Sequence, residues 1–272
     1  MPRPAGLIGA IAGDVIGSVH EHSATRQTRF PLFAPMSRFT DDTVLTVATA
    51  DAILSGTPYD VAYRAFGRRH PNAGYGATFR QWMLDDSRGP YNSFGNGSAM
   101  RVSPVGLAFG SADEVLHEAE RSAAVSHNHP EGIKGAQAVA LAVFRARMGT
   151  SKADIRLELE ERFQYDLSRR IADIRRAYSW DVSCQGSVPE AIIAFLDSAS
   201  VEHAIRLAVS LGGDADTQAA IAGGMALAFY GELPLSIVAS VRSRLTPDLL
   251  DVVDAFDARY PLEPGQVPSP GE

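Results

Sequence analysis

The chain has 272 residues, 45% hydrophobic and 21% charged, enough apolar surface to bury a sizeable core, and a single soluble domain over residues 1–260 is expected. A formal net charge of −7 and a pI near 5.5 argue against a broad basic face for nucleic acid, although a local pocket can still oppose the net charge and take a small anion. No stretch approaches the roughly 18 uninterrupted apolar residues of a membrane span; one cysteine, Cys184, excludes an internal disulfide and fits a reducing compartment, so a cytoplasmic protein is expected.

Met1 to Val19 carries Arg3 and then a mildly apolar run that superficially imitates a signal peptide, but Asp14 interrupts it and Gly6, Gly9, Gly13 and Gly17 dilute it. Glycine costs about 1 kcal/mol in a helix interior relative to alanine, so a helix carrying several gains from close approach. The same small-residue character recurs from Ala219 to Ala228 around Gly223 and Gly224, and two tightly packed central helices are expected. Val44, Leu45, Ala48 and Ala52 share one face of a helix that starts at Asp41/Asp42 and stops at Ser55-Gly56. Pro71 to Pro104, rich in Gly, Asn, Ser, Tyr and Phe with little period, reads as an ordered functional loop whose Tyr75, Phe79, Trp82, Tyr91 and Phe94 face a ligand.

Further along, Ser111 with Glu114 and Ser187 with Glu190 have capping-box spacing, the second ahead of a helix from Ala191 to Leu196. Pro130 sits where a first helical residue belongs, before Ile133, Ala136, Ala140, Val143 and Phe144. Ser200 opens a helix striped by Ala204, Leu207, Ala208 and Leu211, which Gly212 is placed to terminate, and the next runs from about Asp216 to Gly231. Strand alternation is absent, so a mostly α protein is expected; residues 261–272, with prolines at 261, 264, 268 and 270, read as a flexible tail.

Two clusters can carry chemistry. Phe39-Thr40-Asp41-Asp42-Thr43 and Gly212-Gly213-Asp214-Ala215-Asp216-Thr217 each set carboxylates and a threonine at a helix start. Capping and the helix dipole explain either alone; together, neighbouring carboxylates repel unless a cation neutralises them. Carboxylate and hydroxyl donors select magnesium, manganese or calcium over zinc or copper. An EF-hand is excluded because loop numbering from Asp214 puts Ala219 where glycine is needed and Met225 where glutamate is needed. His127 and His129, just before Pro130, suit helix capping or ligand hydrogen bonding. Gly13-Asp14-Val15-Ile16-Gly17 lacks the order of a dinucleotide loop and reads as a packing motif. Glu21, between His20 and His22, is locally an ordinary surface residue. Phe94 to Arg101 has the small residues and free amides of a phosphate-cradling nest, or of a simple glycine-rich turn. Asn96-Gly97-Ser98, a formal glycosylation sequon, is read as a turn, and Cys184 as a buried structural thiol.

Taken in order, Gly13-Asp14-x-x-Gly17 with Glu21, Phe39-Thr-Asp-Asp-Thr43, Gly95-Asn-Gly-Ser-Ala-Met-Arg101, Ser126-His127-x-x-Pro130-Glu131, Val188-Pro-Glu-Ala191 and Gly212-Gly-Asp-Ala-Asp-Thr217 resemble the ADP-ribosylglycohydrolase family over nearly the whole chain. The resemblance implies an all-α orthogonal helical bundle with a binuclear metal cleft holding two divalent ions, Mg2+ or Mn2+. It implies metal ligands Thr40, Asp41, Asp42, Asp214, Asp216 and Thr217, and catalytic parts for Glu21, Asp41 and Asp42. It implies ADP-ribose contacts from Gly76, Phe94, Gly95, Asn96, Gly97, Ser98, Met100 and His127. The expected activity is hydrolysis at C1'' of ADP-ribose, releasing it from a modified protein side chain or other acceptor, by a monomer; the alternative is a silent, crystallin-like binding member.

Overall fold

The computed structural model describes residues 6–262, so the flexible tail expected at 261–272 lies, from residue 263 onward, outside the described residues. The described elements are all helical, in the order α1 (Ile8–Gly17), α2 (Asp41–Ser55), α3 (Tyr59–Arg69), α4 (Ala77–Leu84), α5 (Gly97–Met100), α6 (Ser103–Ala108), α7 (Ala112–Ala124), α8 (Pro130–Arg147), α9 (Lys152–Phe163), α10 (Ile171–Ala177), α11 (Cys184–Leu196), α12 (Val201–Val209), α13 (Ala215–Tyr230), α14 (Leu235–Arg242) and α15 (Pro247–Arg259). Among the described residues the one β-type pairing is an isolated bridge between Gly95 and Ser183.

α13 is buried from Ala215 through Ala228, and α1 is buried along its whole length, so neither needs an amphipathic stripe. They are the two small-residue helices, and they pack on one another. A Cβ added at Gly9 would lie 2.5 Å from the Gly223 carbonyl oxygen, and one at Gly13 would fall inside the Ala219 carbonyl. The backbones meet where only hydrogen atoms fit between them. Around this pair stand α8, α11 and α12 against α13, and α2 and α14 against α1.

Most helix ends follow the local signals. Ser111 and Glu114 form a reciprocal capping box, Pro130 opens α8, Ser200 caps α12 through the His203 amide, and α2 stops at Gly56. Two expectations are corrected. The Ser187/Glu190 pair is inside α11, which begins at Cys184 with Ser183 as its cap, accepting from the Gly186 amide, and Pro189 lies within the helix. Ser187 instead donates its hydroxyl to the Ser183 carbonyl one turn back (2.6 Å). The segment from Pro71 to Pro104 contains α4, α5 and the start of α6. Phe79, Trp82 and Met83 make a short buried face on α4, and Trp82 is a core residue, 1% exposed, with the Arg64 guanidinium 3.9 Å from its ring centre.

Replacing Gly13 by alanine forces α1 away from α13 and is expected to destabilise the protein by about 1–3 kcal/mol, the usual cost of overpacking, or more. Urea unfolding of Gly13→Ala beside Gly89→Ala, whose added methyl meets nothing within 4 Å, checks this, with the control unchanged.

Candidate active site

The α1–α13 contact does more than fill the core. A Cβ at Gly17 would lie 2.5 Å from the Asp216 Cα, so the last turn of α1 abuts the first turn of α13. This sets Asp14 of α1 beside Asp216 and, through α2, beside Asp42; carboxylate oxygens of the three lie within 4.8 Å of one another. A second group, sharing Asp216, joins Glu21 and Asp214 under the same limit.

Asp14 organises the start of α2. Its Oδ2 accepts from the Thr40 amide (2.9 Å), the Thr43 amide (3.0 Å) and the Thr43 hydroxyl, and its Oδ1 accepts from the Thr40 hydroxyl (2.8 Å). Thr40 in turn caps α2 by accepting from the Asp42 amide (3.3 Å). The Asp41 amide donates to the Ala73 carbonyl (2.8 Å), tying this helix start to the loop that carries Gly74 and Gly76. On the other helix, the Thr217 amide donates to Asp216 Oδ1 (3.0 Å) and its hydroxyl to Asp42 Oδ2 (3.4 Å). Two helix N-termini therefore direct their positive dipole ends at one set of carboxylates.

Burial and mutual repulsion work the other way. Burial pushes Asp14 up to about 6 even against its four hydrogen bonds, and burial with the neighbouring charges of Asp14 and Asp214 pushes the half-buried Asp41 to about 8. Asp42 and Asp216 stand well above the ordinary carboxylate range for the same reasons, and burial raises Asp214 and Glu21. Asp42 Oδ1 is buried with no hydrogen-bond partner. An unpartnered oxygen among crowded acids, with threonine hydroxyls alongside, fits a hard divalent cation, and Thr40, Asp41, Asp42, Asp214, Asp216 and Thr217 are the residues that could hold one.

These groups floor a cleft of about 580 Å3, within the range of small-molecule sites. Of the residues singled out from the sequence, Glu21, Asp41, Asp42, Gly76, Phe94, Gly95, Asn96, Gly97, Met100, His127, Asp214, Asp216 and Thr217 line it. Thr40 lies beneath the floor, 4% exposed and held by Asp14. Ser98 is buried and donates its hydroxyl to the Gly132 carbonyl (2.7 Å), so a ligand would meet it through the backbone. Asn96 couples the two ends of the cleft, its side-chain amide donating to Asp214 Oδ2 (2.8 Å) and to the Ser187 hydroxyl (3.2 Å). Of the loop aromatics, Phe79, Tyr91 and Phe94 line the cleft, while Tyr75 and Trp82 do not.

The sequence reading passed over several participants. Asp14 sits in what reads locally as a packing motif, and its signal is a lone acid in an apolar helix, which burial makes costly without partners. Trp180 and Val182 form part of the wall, and the Val182 carbonyl accepts from the Asn96 amide (2.8 Å); no local pattern marks them. Arg26 ties the segment before Trp180 to the end of α12, donating to the carbonyls of Arg175 (2.7 Å), Tyr178 (2.6 Å) and Leu211.

An all-helical bundle with clustered carboxylates flooring one cleft is the class that fold and site define. Its fold is similar to that of a solved structure titled "ADP-ribosylglycohydrolase-related protein complex", with a TM-score of 0.71 and 24% identity over 94% of this chain and 96% of that one. Residues 5–264 match the family model described as ADP-ribosylglycohydrolase, and the chain belongs to that family. Similar curated proteins include ADP-ribosylhydrolase ARH3 of Bos taurus, 30% identical over 83% of this chain and 84% of that protein, and its Homo sapiens counterpart, 28% identical over 83% and 84%. The chain is thus a glycohydrolase enzyme.

A carboxyl whose pKa is raised by folding binds its proton more tightly when folded; the stability it contributes is full below the usual carboxylate range and is lost as pH rises through the folded value. In chelator-treated protein the melting temperature is therefore expected to fall between about pH 4 and pH 8, the span from the ordinary aspartate value to that of Asp41. The slope should be shallower in Asp216→Asn. A wild-type melting temperature that rises or stays level across that span contradicts the crowding described here.

Proposed function

We propose that the protein is a metal-dependent ADP-ribosyl hydrolase that cleaves the glycosidic bond at C1'' of ADP-ribose, releasing ADP-ribose from a modified protein side chain. The observation that carries this reading is the convergence of Glu21, Asp42, Asp214 and Asp216 on the floor of one cleft, in a chain of this family. Two divalent ions, magnesium or manganese, would be held by Thr40, Asp41, Asp42, Asp214, Asp216 and Thr217. When bound, such ions fix the vicinal hydroxyls of the terminal ribose and acidify a water.

The chain's own groups supply the rest. Departure of the acceptor builds positive charge on the ribose ring, and the carboxylates around it offset that charge. Glu21 is only half-buried, beside Asp214 and Asp216, and burial raises its carboxyl, so it can hold a proton for the leaving group or take one from the water at the cleft mouth. Asp14 keeps Thr40 and Thr43, and with them the first turn of α2, in place. The Phe94–Met100 segment, whose Gly95, Asn96, Ala99 and Met100 amides are already donated within the protein, offers its glycine backbone and the exposed Phe94 ring to the adenosine diphosphate portion, whose binding positions the distant ribose.

Incubation with a panel of defined ADP-ribosyl conjugates, with free ADP-ribose read by mass spectrometry, is expected to show release that chelation abolishes and magnesium or manganese restores. Asp42→Asn and Asp216→Asn should abolish release, and Asp14→Asn should lower it by about 10–100-fold, as loss of a supporting partner does. Full turnover in Asp216→Asn, or release of AMP or phosphate in place of intact ADP-ribose, overturns the reading.

A further inference from the structure

Among the described residues Arg101 is the one large charged side chain that is wholly buried, and its hydrogen bonds go to a carbonyl and a hydroxyl rather than to a carboxylate. It is one of the residues that line the cleft, beside Met100 and His127, with its side chain closed off from solvent and its guanidinium 4.2 Å from the Tyr63 ring centre. Nη2 donates to the Ser122 carbonyl (3.1 Å) and the Ser126 hydroxyl oxygen (2.9 Å), whereas Nε and Nη1 have no partner. An unpaired buried cation is costly, and a fold that keeps one beside a ligand cleft leaves its field available to an anion there.

The hydrogen bonds from Arg101 run on to the cleft. Ser126 Oγ is 2.8 Å from His127 Nδ1, and the Tyr91 hydroxyl reaches the same serine. An arginine can only donate, so Ser126 accepts from Nη2 and keeps one proton to give. Donated to His127 Nδ1, that proton makes Nδ1 the acceptor and puts the ring proton on Nε2, whereas donated to the Tyr91 oxygen it leaves Nδ1 to carry the ring proton. We take the first arrangement. Burial and the Arg101 charge hold His127 well below its ordinary pKa, consistent with a neutral ring. Nε2 faces the glycine loop: a Cβ at Gly97 would lie 3.1 Å from it, and one at Gly95 3.7 Å. The Gly97 backbone is helical, so what glycine secures there is clearance in front of the imidazole.

We propose that Arg101 and Ser126 are positioning residues for ligand binding, fixing His127 as the neutral tautomer whose Nε2–H donates into the cleft to a phosphate oxygen, with the buried Arg101 charge making that part of an acidic cleft receptive to an anion. This rests on the reading that ADP-ribose occupies the cleft. It divides the site in two, a cation-binding set of carboxylates and an anion-binding part whose positive charge lies below the surface.

The experiment has two arms. Nitrogen-15 NMR of the wild-type protein without ligand, with the His127 signals assigned by their loss in His127→Gln, is expected to show Nε2 protonated and Nδ1 unprotonated at neutral pH. A protonated Nδ1, whether in the other tautomer or in an imidazolium, overturns the proposal and needs no variant to fold. In the second arm, Ser126→Ala is expected to weaken ADP-ribose and ADP binding by about ten-fold, the scale of one hydrogen bond to a charged group, with adenosine binding and the hydrolysis rate at saturation little changed. Ser126→Thr, which keeps the hydroxyl, should recover most of that loss. Equal affinities for wild type and Ser126→Ala, or an equal loss for adenosine, also overturn it. Should the wild type bind no ADP-ribose, the occupancy reading fails, and the tautomer measurement still judges the Arg101–Ser126–His127 arrangement by itself.

Discussion

The structure depends on the crowding of acidic side chains at one point inside a helical bundle. Asp14, Asp42 and Asp216 bring carboxylate oxygens within 4.8 Å of one another at sites that are almost wholly buried, and folding against that repulsion has to be offset locally. The offsets are visible: four donors from Thr40 and Thr43 converge on Asp14, and two helix N-termini point at the group. The glycine contacts of α1 with α13 belong to the same solution, because helices held at ordinary separation would leave Asp14 and Asp216 too far apart to share a site.

Because those helices are central, the rest of the cleft is assembled around their ends by segments distant in sequence. The loop after residue 70 is tied to the Asp41 amide, the Asn96 side chain to Asp214, and the Val182 carbonyl to the Asn96 backbone. Asn96 is the hinge of this arrangement, joining the carboxylate end to the glycine loop through one side-chain amide. The net charge of −7 conceals a cleft of mixed sign, lined by Glu21, Asp41, Asp42, Asp214 and Asp216 and also by the buried Arg101. A ligand with a polyhydroxylated sugar at one end and a diphosphate toward the other suits that mixture.

Local signals read well where a helix end is decided by its own few residues. Ser111, Pro130 and Ser200 behave as their patterns indicate, because a cap is satisfied within one turn. They failed at Ser187 and Glu190, where Ser183 three residues before Gly186 provides the cap and the helix accommodates Pro189. They failed again at α4, whose eight residues carry too little period to stand out from the glycine-rich stretch around them. Trp82 illustrates the same limit: composition marked an aromatic in a ligand loop, but only packing reveals that Arg64 covers it in the core.

By itself the sequence determined the helical class, the two small-residue helices, and the pairing of acidic residues with threonines at two helix starts, since propensity, spacing and side-chain chemistry are properties of short segments. With the family motifs it also named most of the residues that line the cleft. The tertiary structure alone decided that Asp14 stands under α2 as the acceptor for two threonines, that the Ser98 hydroxyl is bound to the Gly132 carbonyl, and that Arg101 reaches His127 through Ser126. Each of those is a contact between groups far apart in the chain, set by how closely α1 approaches α13 and by which carbonyls and amides are left without partners once the helices have packed. No short-range pattern encodes such distances, because they are the sum of every packing contact in the bundle.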